Sequence, residues 1–116
     1  MVTLRLERGP DGGLCGFDAR GHTGLAAAGH DVACAAVSAL TQTAALGLER
    51  RLGIPVRVEA DSGRFACRLP ADLTPALRSR AEDLLETMRL GLLEIARTDP
   101  GALRVVDQPG AVSERR

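Results

Sequence analysis

Aromatic side chains are almost missing from this chain: of 116 residues, two are Phe and none is Trp or Tyr. Single-stranded nucleic acids are bound by stacking bases on aromatic faces, so that class of module is set aside. An excess of charge of either sign is missing too. Fifteen Lys and Arg balance fifteen Asp and Glu, which argues against neutralising phosphates as the main work and leaves room only for a local basic patch. No direct nucleic-acid binding is expected. The first residues, MVTLRLERGP, are charged by Arg5 and lack the apolar run and small-residue cleavage site of a signal peptide. Residues 32–48 carry no charge, but they are mostly Ala, Thr, Ser and Gly with Gln42 among them, so no membrane span is expected. The three cysteines, Cys15, Cys34 and Cys67, are odd in number and form no C-x-x-C pair. That pattern suits reduced thiols and a cytoplasmic protein better than a disulfide framework. GPDGG, the glycine-rich run at residues 9–13, lacks the lysine of a phosphate loop.

What is present is an ordinary globular composition, 45% apolar and 26% charged, in a length that suits one domain. That domain is placed at residues 1–108, with 109–116 expected to be a flexible tail. Val2, Leu4 and Leu6 alternate with Thr3, Arg5 and Glu7, the period of a half-buried strand. The turn-rich link 9–13 leads to a second strand at 14–20, and together they read as an antiparallel hairpin. Its core face stays open: Cys15 and Phe17 share one side, Leu14 and Gly16 the other. Residues 55–60 and 64–69, PVRVEA and RFACRL, form a second hairpin around Asp61, Ser62 and Gly63. Cys67 is expected there as a small core residue.

Two long helices complete the set. The first follows Asp31, a natural N-cap, and runs to about Leu52, with Val32, Ala36, Leu40, Ala44 and Leu48 along an apolar face that Ala33, Val37 and Leu52 widen, and with Gly53 and Pro55 beyond its end. So much alanine implies the close approach of a second surface, the sheet on one side and another subunit on the other. The second helix is capped by Asp72 or Thr74, takes Pro75 in its first turn and reaches about Thr98. Leu77, Ala81, Leu84, Leu85, Met88, Leu92 and Ile95 make its apolar stripe, so Met88 is expected as core. A short strand at 102–106 ends the order. The expected fold is α+β, a mostly antiparallel sheet of about four to five strands with both helices on one face, since each helix has one face to bury.

The stretch from Gly21 to Leu40, GHTGLAAAGHDVACAAVSAL, stands apart. Both histidines and three glycines fall in its first ten residues, and an apolar helix follows. With Asp31 as cap, Cys34 is the third helical residue, where unpaired amides and the positive end of the helix dipole favour a thiolate. His22 is a candidate base, with an imidazole that titrates near neutrality and a glycine-containing loop long enough to fold back. Ser38 lies one turn beyond Cys34 on the same face, and Gly21 allows the backbone to turn at the histidine. The same residues admit other readings: Cys34 as a buried packing residue, His22 as an ordinary loop histidine, or a zinc site of His22, His30, Asp31 and Cys34 whose separations differ from the short paired spacings of structural zinc.

This stretch closely resembles the signature of the Prp ribosomal-processing cysteine proteases, a pattern of roughly GHA, a short loop, then G-x-D-[IV]-[VA]-C-A-A-V-S. The resemblance implies a catalytic pair of His22 and Cys34, with Gly21, Gly29, Asp31 and Ser38 in supporting places and no cofactor or metal. Thr23 stands where the pattern has alanine, and the loop centre LAAA lacks the aromatic or acidic residues common there. The resemblance further implies an α/β fold, a homodimer, and removal of the N-terminal extension of ribosomal protein L27, whose cut follows a pair of Phe residues. A non-enzymatic ribosome-associated peptide-binding or assembly factor on the same fold is the alternative.

Overall fold

The computed structural model describes residues 1–22 and 31–107, with His22 and Asp31 described by backbone alone. The expected glycine loop with Gly29 and His30, and the expected tail, lie outside the described residues. The elements are β1 (Val2–Arg8), β2 (Leu14–His22), α1 (Asp31–Leu46), a π-helical turn (Gly47–Arg51), β3 (Arg57–Asp61), β4 (Gly63–Arg68), α2 (Pro75–Thr98) and β5 (Leu103–Asp107). Five strands form one sheet in the order β3-β4-β2-β1-β5. All neighbours are antiparallel except β1 and β5, which run parallel because α2 carries the chain back across the sheet. The expected α+β fold, with two long helices on one face of a mostly antiparallel sheet, is the one observed.

Each hairpin has a local cause. Between β1 and β2 the Gly9 amide donates to the Gly13 carbonyl (2.9 Å) and the Gly12 amide to the Gly9 carbonyl (2.9 Å), while the Asp11 carboxylate accepts from the Gly13 amide. A register shift at Glu7/Arg8 leaves Cys15 as the extra residue, since Arg8 faces Leu14 and Glu7 faces Gly16. Strict alternation would put Leu14 and Phe17 on opposite faces; the bulge brings both into the core. That settles the question alternation left open.

α2 starts where expected. Thr74 is the cap, its hydroxyl accepting from the Leu77 amide at 3.3 Å, with Pro75 in the first turn. Ala81, Leu85, Met88 and Leu92 are buried, as the stripe requires. α1 differs from expectation in two ways. It takes in Asp31 as a helical residue, so Cys34 is its fourth residue rather than its third. Its buried line keeps the expected Val37 and Ala44, with Leu48 in the turn that follows, but adds Thr41 and Ala45, whereas Val32 is 82% exposed. A series spaced strictly by four drifts about 40° per step, and only alternating steps of three and four keep one face on the core. Thr41 enters this apolar line because its hydroxyl donates to the Val37 carbonyl at 2.9 Å.

The two helices pack antiparallel. A Cβ on Gly47 would come within 2.8 Å of Leu84 Cδ1, so the second surface that the alanine content called for is here α2. By length and composition, Val32–Arg51 is long and apolar enough to cross a membrane, contrary to the expectation from sequence. In this fold the run forms a core helix, with Val37, Ala44, Ala45 and Leu48 in the same cluster as the sheet residues.

Among the described residues the other face of the sheet carries no helix, and it is tied by ion pairs. Asp18, buried, accepts from Arg64 at 2.9 Å and Arg20 at 3.1 Å; Glu7, also buried, accepts from both ends of the Arg68 guanidinium at 2.8 and 2.9 Å. At the opposite edge Arg8 grips Asp107 with two bonds of 2.8 and 2.9 Å, and Arg89 of α2 adds a third at 2.9 Å. Burial alone would push the Asp18 carboxyl up, but the hydrogen bonds from Arg64 and Arg20 outweigh it and hold it below 3.8, its ordinary value. Arg8, with help from Arg89, holds Asp107 below the same value. A carboxylate depressed on folding contributes stability that is complete above its unfolded pKa and is lost as pH falls through the folded one. Unfolding midpoints should therefore drop steeply below about pH 4. Asp18→Asn and Asp107→Asn should each lower the neutral midpoint and flatten that acid limb; a limb as steep as that of the unsubstituted protein would refute this origin.

Candidate active site

The candidate residues come from the end of β2 and the start of α1. Along β2, Ala19 faces Phe65 and Arg20 faces Arg64, but the next pairing is His22 with Gly63. Gly21 is therefore an extra residue, and β2 reaches two residues further than the sequence pattern indicated. Its φ is +94°, and a Cβ there would lie 2.5 Å from the backbone carbonyl oxygen of Met1. Both facts select glycine. The bulge has a consequence for parity. Ala19 is buried on the helix-bearing face and Arg20 lies on the open one, so the place opposite Gly63 belongs to the helix-bearing row. Without the bulge Gly21 would take that place; with it, the backbone of His22 does.

Cys34 stands in the first turn of α1, partly buried and packed against the core. Val37 and Thr41 continue its face into the interior. Ser38, one turn on, is also partly buried. A helix beginning at Asp31 leaves the first amides without partners four residues back, and its dipole puts partial positive charge beside Cys34.

The other two thiols sit in places that quench nucleophiles. Cys67 is 1% exposed on β4, the core residue expected, and burial pushes its thiol up to about 11. Burial also pushes Cys15 up, and the neighbouring charge of Glu7 adds to the effect. Both are neutral thiols at physiological pH. Cys34 is thus distinguished by location: it alone of the three lies at a helix start. Among the described residues no three His, Cys, Asp or Glu side chains converge as a metal site. Of the zinc alternative His22, His30, Asp31 and Cys34, only the Cys34 side chain lies among them.

A thiol at a helix start, close in sequence to a histidine, is a combination of residue types that nucleophilic catalysis uses. Comparison with known proteins gives that chemistry a family. The family model described as cysteine protease Prp matches residues 1–104. The ribosomal processing cysteine protease Prp of Bacillus subtilis is 31% identical over 107 residues, covering 90% of this chain and 96% of that protein. Among solved structures, the essential ribosomal processing protease Prp from S. aureus, in complex with a substrate peptide, superposes with a TM-score of 0.81 at 20% identity; the match covers 93% of this chain and 100% of that one. SMU.848 from Streptococcus mutans superposes with a TM-score of 0.78 at 26% identity, over 93% of this chain and 96% of that one. With the family model spanning nearly the whole chain and the fold shared, this protein belongs to the Prp family of ribosomal-processing cysteine proteases and is a cysteine protease.

Proposed function

We propose that His22 and Cys34 are the catalytic dyad and that the substrate is the N-terminal extension of ribosomal protein L27. The observation that carries the dyad is the Gly21 bulge, which gives the His22 backbone the helix-side row of the sheet that α1, with Cys34 in its first turn, packs against. The substrate assignment is supported by the GHTGLAAAGHDVACAAVSAL signature and by the ribosomal-processing role for which the Bacillus subtilis relative is named. Gly29, Asp31 and Ser38 keep supporting places in this reading, and a ribosomal substrate places the enzyme in the cytoplasm.

The reaction divides into two halves. His22 takes the proton of the Cys34 thiol and the thiolate attacks the scissile carbonyl carbon, forming a C–S bond and a tetrahedral oxyanion. Protonated His22 then donates to the amide nitrogen as the C–N bond breaks, releasing the amine and leaving a thioester on Cys34. Water, deprotonated by His22, attacks the thioester; the C–S bond breaks and the thiol regains its proton. The oxyanion needs donors that are already oriented. With the helix counted from Asp31, the Cys34 amide is the first that the helix itself can use, so the amides of residues 31–33 are better donors than that of Cys34. The binding-factor alternative needs no thiolate and has no use for a nucleophile at a helix start.

Intact-mass analysis of the organism's own L27 tests the reading. Incubation with the unsubstituted protein should remove one defined N-terminal peptide, while Cys34→Ser and His22→Ala variants should leave L27 whole. An extended L27 that stays intact beside folded, reduced enzyme would refute the substrate. Native-mass spectra of the same samples read the homodimer that belongs to this proposal, at twice the 12.2 kDa of one chain.

A further inference from the structure

Charge is unevenly spread over the face of the sheet that carries no helix. Strand pairing aligns the residues of that face in cross-strand rows, because paired residues point to the same side. One row runs from β5 to β4 as Arg104, Thr3, Arg20 and Arg64. Neighbouring strands lie about 4.8 Å apart, so the three arginines of the row span about 14 Å. Arg5, two residues along β1 from Thr3, stands in the next row between Val106 and Asp18.

These arginines differ in what they hold. Arg64 is engaged within the sheet, on Asp18 and Glu59. Arg20 shares Asp18 with it, yet the Arg20 side chain is 63% exposed. Arg5 and Arg104 are exposed and make no hydrogen bond or ion pair among the described residues. The acids of the face do not offset them. Asp18 and Glu7 are buried and bound by Arg64 and Arg68, while Glu59 and Asp61 belong to β3 at the far edge. The half of the face made by β5, β1 and β2 therefore turns guanidinium groups to solvent. No direct nucleic-acid binding was expected from charge summed over the whole chain, but the fold sorts that charge by face.

We propose that this half of the open face docks on the phosphate backbone of double-helical RNA, through Arg5, Arg20 and Arg104. The planar fork of a guanidinium matches the oxygens of a phosphate and loses less to desolvation than an ammonium does. A protein partner fits less well, because the centre of such an interface is apolar and aromatic. Among the described residues Val106 is the only apolar side chain on this half that is not buried. A single strand needs aromatic platforms, which the face lacks. A duplex needs neither, since it is recognised by shape and by its phosphates. The choice of RNA among polyanions rests on the ribosomal-processing reading above, whereas the arginine face stands without it.

Fluorescence anisotropy of a labelled RNA duplex with the full chain tests this. The duplex should bind at low salt, and three phosphate contacts should make the logarithm of the binding constant fall by about 2.7 per decade of salt. Arg5→Gln and Arg104→Gln should each weaken binding about fivefold and make that slope shallower by about 0.9. Arg104→Lys, which keeps a point charge, should recover most of the affinity. Arg80→Gln removes an exposed arginine from α2 instead and should change nothing. Neither Arg5 nor Arg104 holds a partner, so thermal unfolding of their variants should match that of the unsubstituted protein. Four results would overturn the proposal: no binding at low salt, an equal loss from Arg80→Gln, a slope unmoved by Arg5→Gln and Arg104→Gln, or polyglutamate bound as tightly as the duplex, the last pointing to an acidic polypeptide. The two readings separate, because Arg5→Gln and Arg104→Gln should cleave a short peptide at the unsubstituted rate. Cleavage without RNA binding overturns only the arginine face, and RNA binding without cleavage supports that face while refuting the proposed reaction.

Discussion

Cys34→Ser should lower kcat/KM for an L27-derived peptide by at least about four orders of magnitude, with almost no change in thermal unfolding. The size follows from acidity. The proposed reaction needs a thiolate, and a serine hydroxyl, far less acidic than any thiol, stays protonated in the same place. Stability should hold because the side chain is only partly buried and serine is nearly its size. The comparison that gives the result meaning is with the other cysteines. Cys15→Ser and Cys67→Ser should keep kcat, although Cys67→Ser places a hydroxyl at a site 1% exposed and should cost about 1–3 kcal/mol of stability. Turnover retained by Cys34→Ser, or lost in Cys15→Ser with the fold intact, would move the nucleophile elsewhere. Peptide hydrolysis followed by mass, beside a calorimetric scan, measures both quantities.

Gly21→Ala is expected to have the second largest effect, and on two observables at once. The backbone there has φ of +94°, which an L side chain adopts only with strain, and the added Cβ would meet a backbone oxygen 2.5 Å away. Backbone atoms cannot rotate aside as a side-chain end can, so strand β1 or β2 must shift. The cost should be about 2–4 kcal/mol, strain and overpacking together. Relieving it means dissolving the bulge, which would return His22 to the opposite parity of the sheet. The expected result is loss of kcat by at least about a hundredfold, beyond what the stability loss explains at temperatures where the variant is folded. Gly53→Ala makes the control. Its φ is +68° with nothing within 4 Å of the new Cβ, so it should lose about 1–2 kcal/mol and keep its activity. Equal activity loss in the two variants would reduce Gly21 to a stability residue.

Much of this architecture was legible because it is local. Thr74, Pro75 and the stripe from Leu77 to Ile95 specify α2 without reference to anything else: a hydroxyl cap, a residue with no amide to lose, and a helical period. The turn at 9–13 and the alternation in β1 were readable for the same reason, as were Cys67 and Met88 as core. The site was partly legible, since a cap-like Asp31 before Cys34 and a glycine-flanked histidine name their chemistry by type and spacing. The arginine face was not. Arg104 lies far from Arg5 and Arg20 in sequence, and each looks like an ordinary solvent-facing residue of its own strand. The buried face of α1 was legible only in part: Val37 and Ala44 were expected there and are buried, but Thr41 and Ala45 were not expected and Val32 was, because only packing against α2 and the sheet chooses between a period of four and alternating steps.

By itself, then, the sequence determined the kinds of element, their order and the residue types able to make a thiolate, all of which depend on neighbours within a few positions. Tertiary structure decided everything that requires distant backbone to meet. The carbonyl of Met1 demands a residue without Cβ at Gly21, and the bulge there sets the His22 backbone opposite Gly63. Arg64 and Arg68 of β4 make it tolerable to bury Asp18 and Glu7, two acids that a strand pattern alone would leave in water. β5 joins the far edge beside β1, held there by Arg8 and Arg89 on Asp107. No local rule contains these pairings, because each gains its energy only when segments separated by tens of residues have already been brought together.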